Sequence, residues 1–496
     1  MPMIIPAPSS LVTHQGGFTL GPATRLSAPT EIAALCRELI GPATGLPLAE
    51  GGRDRDETVS LDLVDDPELG AEGYRLSVGP DRVRATAAAP SGLRWAVQTI
   101  RQLLPADVYA ESPVAGVEWR LPAVEIVDVP RYAWRGSLLD VARWCHPLPF
   151  LHRYVDLLAM HKLNTLHLHL TDDQGWRFEV RRYPLLTEVG GRRTESSAGH
   201  ARHGRFDGAP HGGFYTQREL RDLVAYAARR GVRVMPEIDL PGHTQAAIAA
   251  YPELGNDPTR RLPVRTAWGI STHVLNVADS TVRFVRNVLD ELVDVFPFKH
   301  VHVGGDEVPP DEWAANPAAG KLAAELGLDG VHDLLGWWTG QLAEHLAGHG
   351  RRVAVWDELL DHGAPKDATV FAWRGQDRIG AALDAGQRVV AAPYTHTYLD
   401  WAESAGPDEP LAIAGTLPLE RVYGFEPGPV YGVQGQLWSE YLPTTALVEW
   451  RAFPRLAALA EVGWSAGRSD FGAFRDRLAC HLRRLDRLGV GYRPLD

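Results

Sequence analysis

The sequence predicts an α/β protein, a (β/α)8 TIM barrel preceded by a small α+β domain. Two observations carry this expectation. From Trp134 onward, short apolar runs of strand length alternate with segments whose apolar residues recur at helical spacing. Eight such strand-then-helix units can be followed, which is the number that closes a barrel. An open doubly wound sheet is the competing arrangement, but no GxGxxG follows any of the strands.

Taken in order, residues 1–125 form the first domain. Alternating runs such as Tyr74-Arg75-Leu76-Ser77-Val78 and Val83-Arg84-Ala85-Thr86-Ala87 predict strands between turn signals, and helices are expected over 30–40 and 91–104. The Pro-rich tract from Pro122 to Pro130 marks the junction. The barrel is placed over 130–468. Its strands are expected at 134–140, 164–170, 232–239, 300–303, 352–357, 368–373, 387–392 and 432–437, with helices including 216–230, 281–296, 331–347 and 441–465. A last piece, 469–496, carries a helix expected to pack on the outside of the barrel.

Composition narrows the function. The chain has 496 residues and a formal net charge of −12, which argues against nucleic acid, whose phosphates call for clustered Lys and Arg. Cys36, Cys145 and Cys480 lie far apart, so neither a disulfide scaffold nor a structural zinc site is expected. No apolar run reaches the length of a membrane span. The opening MPMIIPAPSS has no basic region leading into an apolar stretch, which predicts a cytoplasmic protein, a secreted form with a trimmed leader being the alternative. The 15 Trp outnumber both Tyr and Phe, a bias that suits either extra core rings or a site stacking on sugar faces.

Barrel enzymes draw their chemistry from the C-terminal ends of several strands. Those ends carry Asp172, Asp173, Gln174 and Trp176 after the second strand, and Glu237, Asp239 and His243 at the third. Asp306-Glu307 follows the fourth, Trp356-Asp357-Glu358 the fifth and Trp373-Arg374 the sixth. Tyr394, His396, Tyr398, Asp400 and Trp401 follow the seventh, and Trp438-Ser439-Glu440 the eighth. A face lined with carboxylates and aromatics suits a carbohydrate, whose hydroxyls need acceptors and whose C–H faces stack on rings. Asp306-Glu307 stands out. Gly304-Gly305 stop the strand and allow a sharp turn, so two successive carboxylates can face one cavity, and like charges held close raise one pKa into the range of a general acid.

The histidines read differently. His167 and His169 share a strand face in a metal-ligand pattern, but read as a satisfied core pair. His345 and His349 stand four apart without the HExxH glutamate and read as a solvated helix end. His243, after Pro241-Gly242, reads as part of the polar network that supports the acid.

The strings RGSLLDVAR (135–143), HLTDDQGWR (169–177), EIDLPGH (237–243), HVGGDE (302–307), VWDE (355–358) and LWSE (437–440) resemble family 20 glycoside hydrolases, the β-N-acetylhexosaminidases. The resemblance runs in order from Trp134 to Trp464, and the N-terminal region fits the small domain that precedes the barrel in that family. It implies a retaining, substrate-assisted mechanism through an oxazolinium ion. Glu307 is then the acid and base, Asp306 holds the acetamido N–H, and Tyr398 donates to the acetamido oxygen. Trp356, Trp373 and Trp438 wall the acetamido methyl. Arg135 binds the 3- and 4-hydroxyls, Glu440 the 4-hydroxyl with the 6-hydroxyl as a second option, and Asp400 the 6-hydroxyl, while Asp172 and His243 belong to the surrounding polar network. Trp144-Cys145-His146 depart from the family pattern of a His and an aromatic, leaving His146 as the nearest substitute. The loop from Gly190 to Gly213, rich in Gly, Arg and His, is open between a rim for the leaving group and a mobile segment.

The expected activity is exo-acting removal of terminal β-linked GlcNAc or GalNAc from an oligosaccharide or glycoconjugate, with no metal or organic cofactor, no nucleic acid and no membrane. A metal-dependent amidohydrolase using His167 and His169, and an inactive sugar-binding protein, are the competing readings.

Overall fold

In the computed structural model, which describes residues 2–51 and 57–495, an N-terminal sheet stands beneath a closed barrel. The sheet has seven strands: β1 (Ser10–Thr19), β2 (Arg25–Ser27), β3 (Ala49–Glu50), β4 (Thr58–Leu63), β5 (Tyr74–Val78), β6 (Arg82–Ala87) and β7 (Arg120–Asp128). Their spatial order is β1-β7-β5-β6-β4-β2-β3. Alternation decides the buried face: Tyr74, Leu76 and Val78 of β5 and Val83, Ala85 and Ala87 of β6 are enclosed. The helices Thr30–Thr44 and Pro90–Leu103 pack with this sheet, the second opening on Pro90, where a missing N–H costs nothing.

The tract expected as a junction is strand for most of its length. β7 runs on to Asp128, and its Pro122 is paired only with Gly17 of β1, beyond the reach of β5, which stops opposite Val124. A proline is tolerated there because no neighbour asks for its N–H.

The barrel consists of β8 (Trp134–Asp140), β9 (Thr165–His169), β14 (Arg233–Glu237), β15 (His300–His302), β16 (Arg352–Trp356), β17 (Thr369–Ala372), β18 (Arg388–Ala391) and β19 (Gly432–Leu437), all parallel, with β19 closing onto β8. Between β9 and β14 lie two short hairpins, β10 (Thr171–Asp172) with β11 (Gly175–Trp176), and β12 (Arg192–Arg193) with β13 (His211–Gly212). Alternate strand residues fill the barrel interior; Trp134, Leu138, Met235, Ala354, Trp356, Phe371 and Val390 form one apolar cluster there.

The outer helices follow the periodic segments. Gln217–Arg229 begins with a capping box between Thr216 and Glu219. The run expected as one helix over 441–465 is two, Thr445–Ala452 and Arg455–Trp464, because Pro454 has no N–H and its ring collides with the preceding turn. The final helix, Phe471–Arg487, reaches both domains rather than the barrel alone. His481 Nε2 lies 2.8 Å from His161 Nε2 in the barrel, while Arg484 donates to Met3 O and Gln102 O. Among the described residues no helix is long and apolar enough to cross a membrane.

Candidate active site

The strand ends at the C-terminal face of the barrel converge on a cavity of about 390 Å3. Asp306, Glu307 and His243 line it on one side, Trp356, Trp373, Trp438 and Tyr398 form its aromatic walls, and Arg143, Asp400 and Glu440 also face it.

The acid pair is presented by backbone strain. Gly304 and Gly305 have φ of +71° and +97°, and a Cβ on them would collide with Asp239 Oδ1 and with the Leu359 side chain respectively. Glu307 itself is left-handed at φ +46°, a conformation that costs a non-glycine residue energy and is found where geometry serves a site. Asp306 is buried. Burial first, then the charges of Glu307 and Glu237, push its carboxyl up to about 6, with His243 pulling the other way. Its Oδ1 has no hydrogen-bond partner among the described residues.

His243 links the pair to the neighbouring strand ends. Its Nε2 lies 3.5 Å from Glu307 Oε2 and 3.8 Å from Asp306 Oδ2, and its Nδ1 lies 3.3 Å from Asp172 Oδ1. Burial opposes charge on this ring, but Asp172 outweighs it and holds the imidazole well above its ordinary pKa. Asp172 is held far below the usual carboxylate range by Arg143 and His243 despite its burial; Arg143 Nη2 is 2.8 Å away and His169 Nε2 is 2.9 Å away. Asp173 accepts from the backbone N–H groups of Gln245 and Ser271, which fixes the loop that brings Gly269 and Ile270 to the cavity.

The tryptophan walls are tied down by carboxylates. Trp356 Nε1 donates to Glu237 Oε1 at 2.9 Å, and Trp373 Nε1 to Glu358 Oε2 at 3.0 Å. Trp438 stands 5.9 Å from Trp356 and carries the Arg143 guanidinium 5.2 Å above its ring. Tyr398 stacks on Trp373 with centroids 6.0 Å apart. Burial, followed by the charge of Glu440, raises Asp400 to about 8, so it is largely a neutral acid at pH 7. Its Oδ1 has no partner among the described residues. Open polar atoms inside an aromatic box are what a site needs to bind a polar ligand with apolar faces.

One expected residue is elsewhere. Arg135 is the second residue of β8 and so lies at the opposite, N-terminal end of the barrel, where its guanidinium is taken up by Glu72, Lys162 O and Tyr132 O. Arg143, three residues past the end of β8, is the arginine that lines the cavity. The strand-end rule applied within RGSLLDVAR identifies it, since only the second arginine follows the strand. His146 is buried against Phe150 and does not line the cavity. His167 and His169 are core: Gln434 Nε2 lies 3.0 Å from His167 Nδ1, Glu237 and Asp172 take both nitrogens of His169, and Glu237 Oε2 lies 3.1 Å from His167 Nε2. The 190–213 loop sits on the rim, with His200 Nε2 3.2 Å from the carbonyl of Ile413 and Ala201 N–H donating to Tyr441. Ile413 and Ala414, from an irregular stretch, and Ile270 complete the mouth, and no local sequence signal marks them.

Comparison with known proteins agrees with this fold. Residues 132–467 match the model of the glycosyl hydrolase family 20 catalytic domain, and residues 1–129 that family's domain 2. A β-hexosaminidase of Porphyromonas gingivalis is 37% identical over 99% of the chain, which spans 64% of that relative's length. A β-N-acetylhexosaminidase of Cellulomonas fimi is 35% identical over 98% of the chain and 95% of its own. Among solved structures, the family 20 β-N-acetylhexosaminidase of Streptomyces coelicolor superposes with a TM-score of 0.87 at 31% identity, covering 100% of this chain and 98% of its own. A mutant Streptomyces plicatus β-hexosaminidase in complex with its product GlcNAc gives 0.87 at 32% identity, with coverage of 100% and 97%. With both of its domains matched and the strand ends converging on one acid-bearing, tryptophan-walled cavity, the chain belongs to glycosyl hydrolase family 20.

Proposed function

We propose that the protein is an exo-acting β-N-acetylhexosaminidase that releases terminal β-linked N-acetylhexosamine with retention of configuration. The observation that carries the reading is the adjacency of Asp306 and Glu307 in one small cavity bounded by four tryptophans, Trp356, Trp373, Trp401 and Trp438. Two successive carboxylates presented by one strand end suit a sugar that supplies its own nucleophile, one holding the acetamido group and the other moving the proton.

In this mechanism the acetamido oxygen attacks the anomeric carbon as the glycosidic C–O bond breaks. Glu307 gives its proton to the departing oxygen. Asp306 accepts the acetamido N–H and offsets the positive charge that develops on the oxazolinium ring. Its open Oδ1 is the free acceptor this needs. Tyr398, stacked on Trp373, orients the acetamido carbonyl, and Trp356, Trp373 and Trp438 enclose its methyl. Water then attacks the anomeric carbon from the face the aglycone left, Glu307 takes its proton, and the ring C–O bond opens to restore the acetamide. Arg143, set between Asp172 and Glu440, takes the hydroxyl-binding role expected of Arg135, with Glu440 and Asp400 receiving the 4- and 6-hydroxyls.

The test is hydrolysis of p-nitrophenyl N-acetylglucosaminide. Glu307→Gln and Asp306→Asn are each expected to lower turnover by about 10²-fold or more, the size of one charge-stabilising or proton-transferring contact. Unchanged rates in both would remove the pair from the mechanism, and an inactive wild type that still binds the sugar would establish a binding protein instead.

A further inference from the structure

We propose that Asp290, His345 and His349 form a binding site for a divalent transition-metal cation, specifically zinc, on the outer wall of the barrel. The site joins two helices, Asp279–Val295 and Leu334–Gly348, which lead into the N-terminal ends of β15 and β16, so it lies away from the catalytic cavity.

His345 lies in the last turn of the second helix and His349 is its C-cap residue, so the four-residue spacing sets the two rings one turn apart on the same side. The neighbouring helix brings Asp290 to both: its Oδ1 is 2.7 Å from His345 Nε2 and 3.0 Å from His349 Nε2. The imidazole rings stand 5.0 Å apart, and the three ligand atoms all lie within 4.8 Å of one another. A single imidazole would suffice for a hydrogen bond between the helices. A second one aimed at the same oxygen adds the rest of a two-histidine, one-carboxylate set, whose nitrogen content favours zinc, nickel or copper over calcium or magnesium.

The fit is close. Around a tetrahedral Zn2+, imidazole and carboxylate ligands at about 2.0–2.2 Å from the ion stand about 3.3 Å from one another. The present separations therefore need to open by a few tenths of an ångström. The side chains have that freedom, being 21% exposed for His345, 40% for His349 and 44% for Asp290. The same exposure gives the ion an entry path and leaves room for water as the fourth ligand. The sequence alone offers only two histidines on one helix and reads them as a solvated end. The third ligand comes from a different helix, so the set exists only in the folded chain. An ion held there ties the two helices together and stabilises the folded state by mass action.

Untagged protein, stripped with a chelator and returned to metal-free buffer, is titrated with Zn2+ in competition with a chromophoric chelator. The wild type is expected to take up one equivalent and to gain a Zn2+-dependent rise in melting midpoint. His345→Ala and His349→Ala should each weaken binding by at least about tenfold and abolish the rise. Their hydrolytic rates should stay at the wild-type value, which certifies that both variants are folded. His332→Ala, in the looser cluster where His332 and His362 lie 3.6 and 3.3 Å from Asp333 Oδ1, should bind as the wild type does. No Zn2+ uptake by the wild type at micromolar concentration, or wild-type binding by both His345→Ala and His349→Ala, overturns the proposal. So does a loss confined to His332→Ala.

Discussion

Two buried arginines of one short string, Arg135 and Arg143, sit at opposite ends of the same strand and keep different company. At the N-terminal end, Arg135 is taken up by protein groups: Nε donates to Lys162 O, Nη1 to Tyr132 O and Glu72, and Nη2 to Glu72, four of its five N–H groups. Beside it Lys162 Nζ is 2.6 Å from Asp128 Oδ2. At the C-terminal end, Arg143 meets Asp172 and Asp140, but its surroundings are unfinished. Glu440 is 3.9 Å away, and Asp306 and Asp400 each keep an oxygen without a partner among the described residues. A completed polar network holds two domains together, and an incomplete one waits for a ligand to complete it.

Substitution at each end should separate the two roles. Arg135→Met leaves the part-buried Glu72 carboxylate with only Asn164 and Trp95 as donors and is expected to cost about 2–3 kcal/mol of stability in urea unfolding, with near-normal kinetics for the protein that remains folded. Arg143→Met should do the converse and lower kcat/KM by about 10²-fold, the loss of a charged hydrogen bond to substrate. If Arg143→Met unfolds the protein while Arg135→Met loses catalysis, the comparison is inverted.

Acid should test the structural side next. Burial holds His146, His161, His167 and His300 down at about 4, so each is neutral in the folded state. Between pH 6.5 and 4 the unfolded chain takes up protons on these four groups that the folded chain does not, so their contribution to stability falls as pH falls, while Asp306, Asp400 and Glu358, raised to about 6, 8 and 8, take up protons first in the folded state and oppose it. Glu72, held at about 2 against its own burial by Arg135, adds a second loss between 4.5 and 2. Replacing His161 by Phe should therefore make urea midpoints fall less steeply from pH 6.5 to 4 than in the wild type; an unchanged dependence would overturn this.

His300 sharpens the contrast, because it is a polar exception toward the N-terminal end. It packs on Trp134 and Phe298, and neither ring nitrogen has a partner among the described residues. His300→Phe is expected to leave activity unchanged and to flatten the acid slope by up to about 1.4 kcal/mol per pH unit, one group's share. An unchanged slope would show that this ring does not titrate with folding.

The smallest effect belongs to Asp400. Since its pKa is raised to about 8, Asp400→Asn replaces a neutral acid by its near isostere, and at pH 6 kcat/KM should fall by less than about tenfold. A loss as large as that of Asp306→Asn would mean that Asp400 works as an anion.

Much of this was legible before folding. The barrel strands follow from short apolar runs, and the acid pair is local, since the glycine doublet that turns the chain adjoins the residues it presents. What failed was contextual. Pro122 breaks nothing where β7 has only one neighbour at that level, whereas Pro454 divides a helix whose apolar pattern runs on through it. Arg135 and Arg143 both fall within the resemblance, and only the strand's direction separates them. Ile270, Ile413 and Asp290 meet their partners through tertiary contact alone, so no spacing announces them.

Inhibition by the thiazoline analogue of the cyclised sugar, set beside inhibition by N-acetylglucosamine, distinguishes an oxazolinium intermediate from an enzyme-bound one. A site built around the oxazolinium ion should bind the thiazoline at least about 10²-fold more tightly, and Asp306→Asn should erase most of that preference. Equal affinities for the two compounds in the wild type would contradict the account and point to a nucleophile supplied by the enzyme.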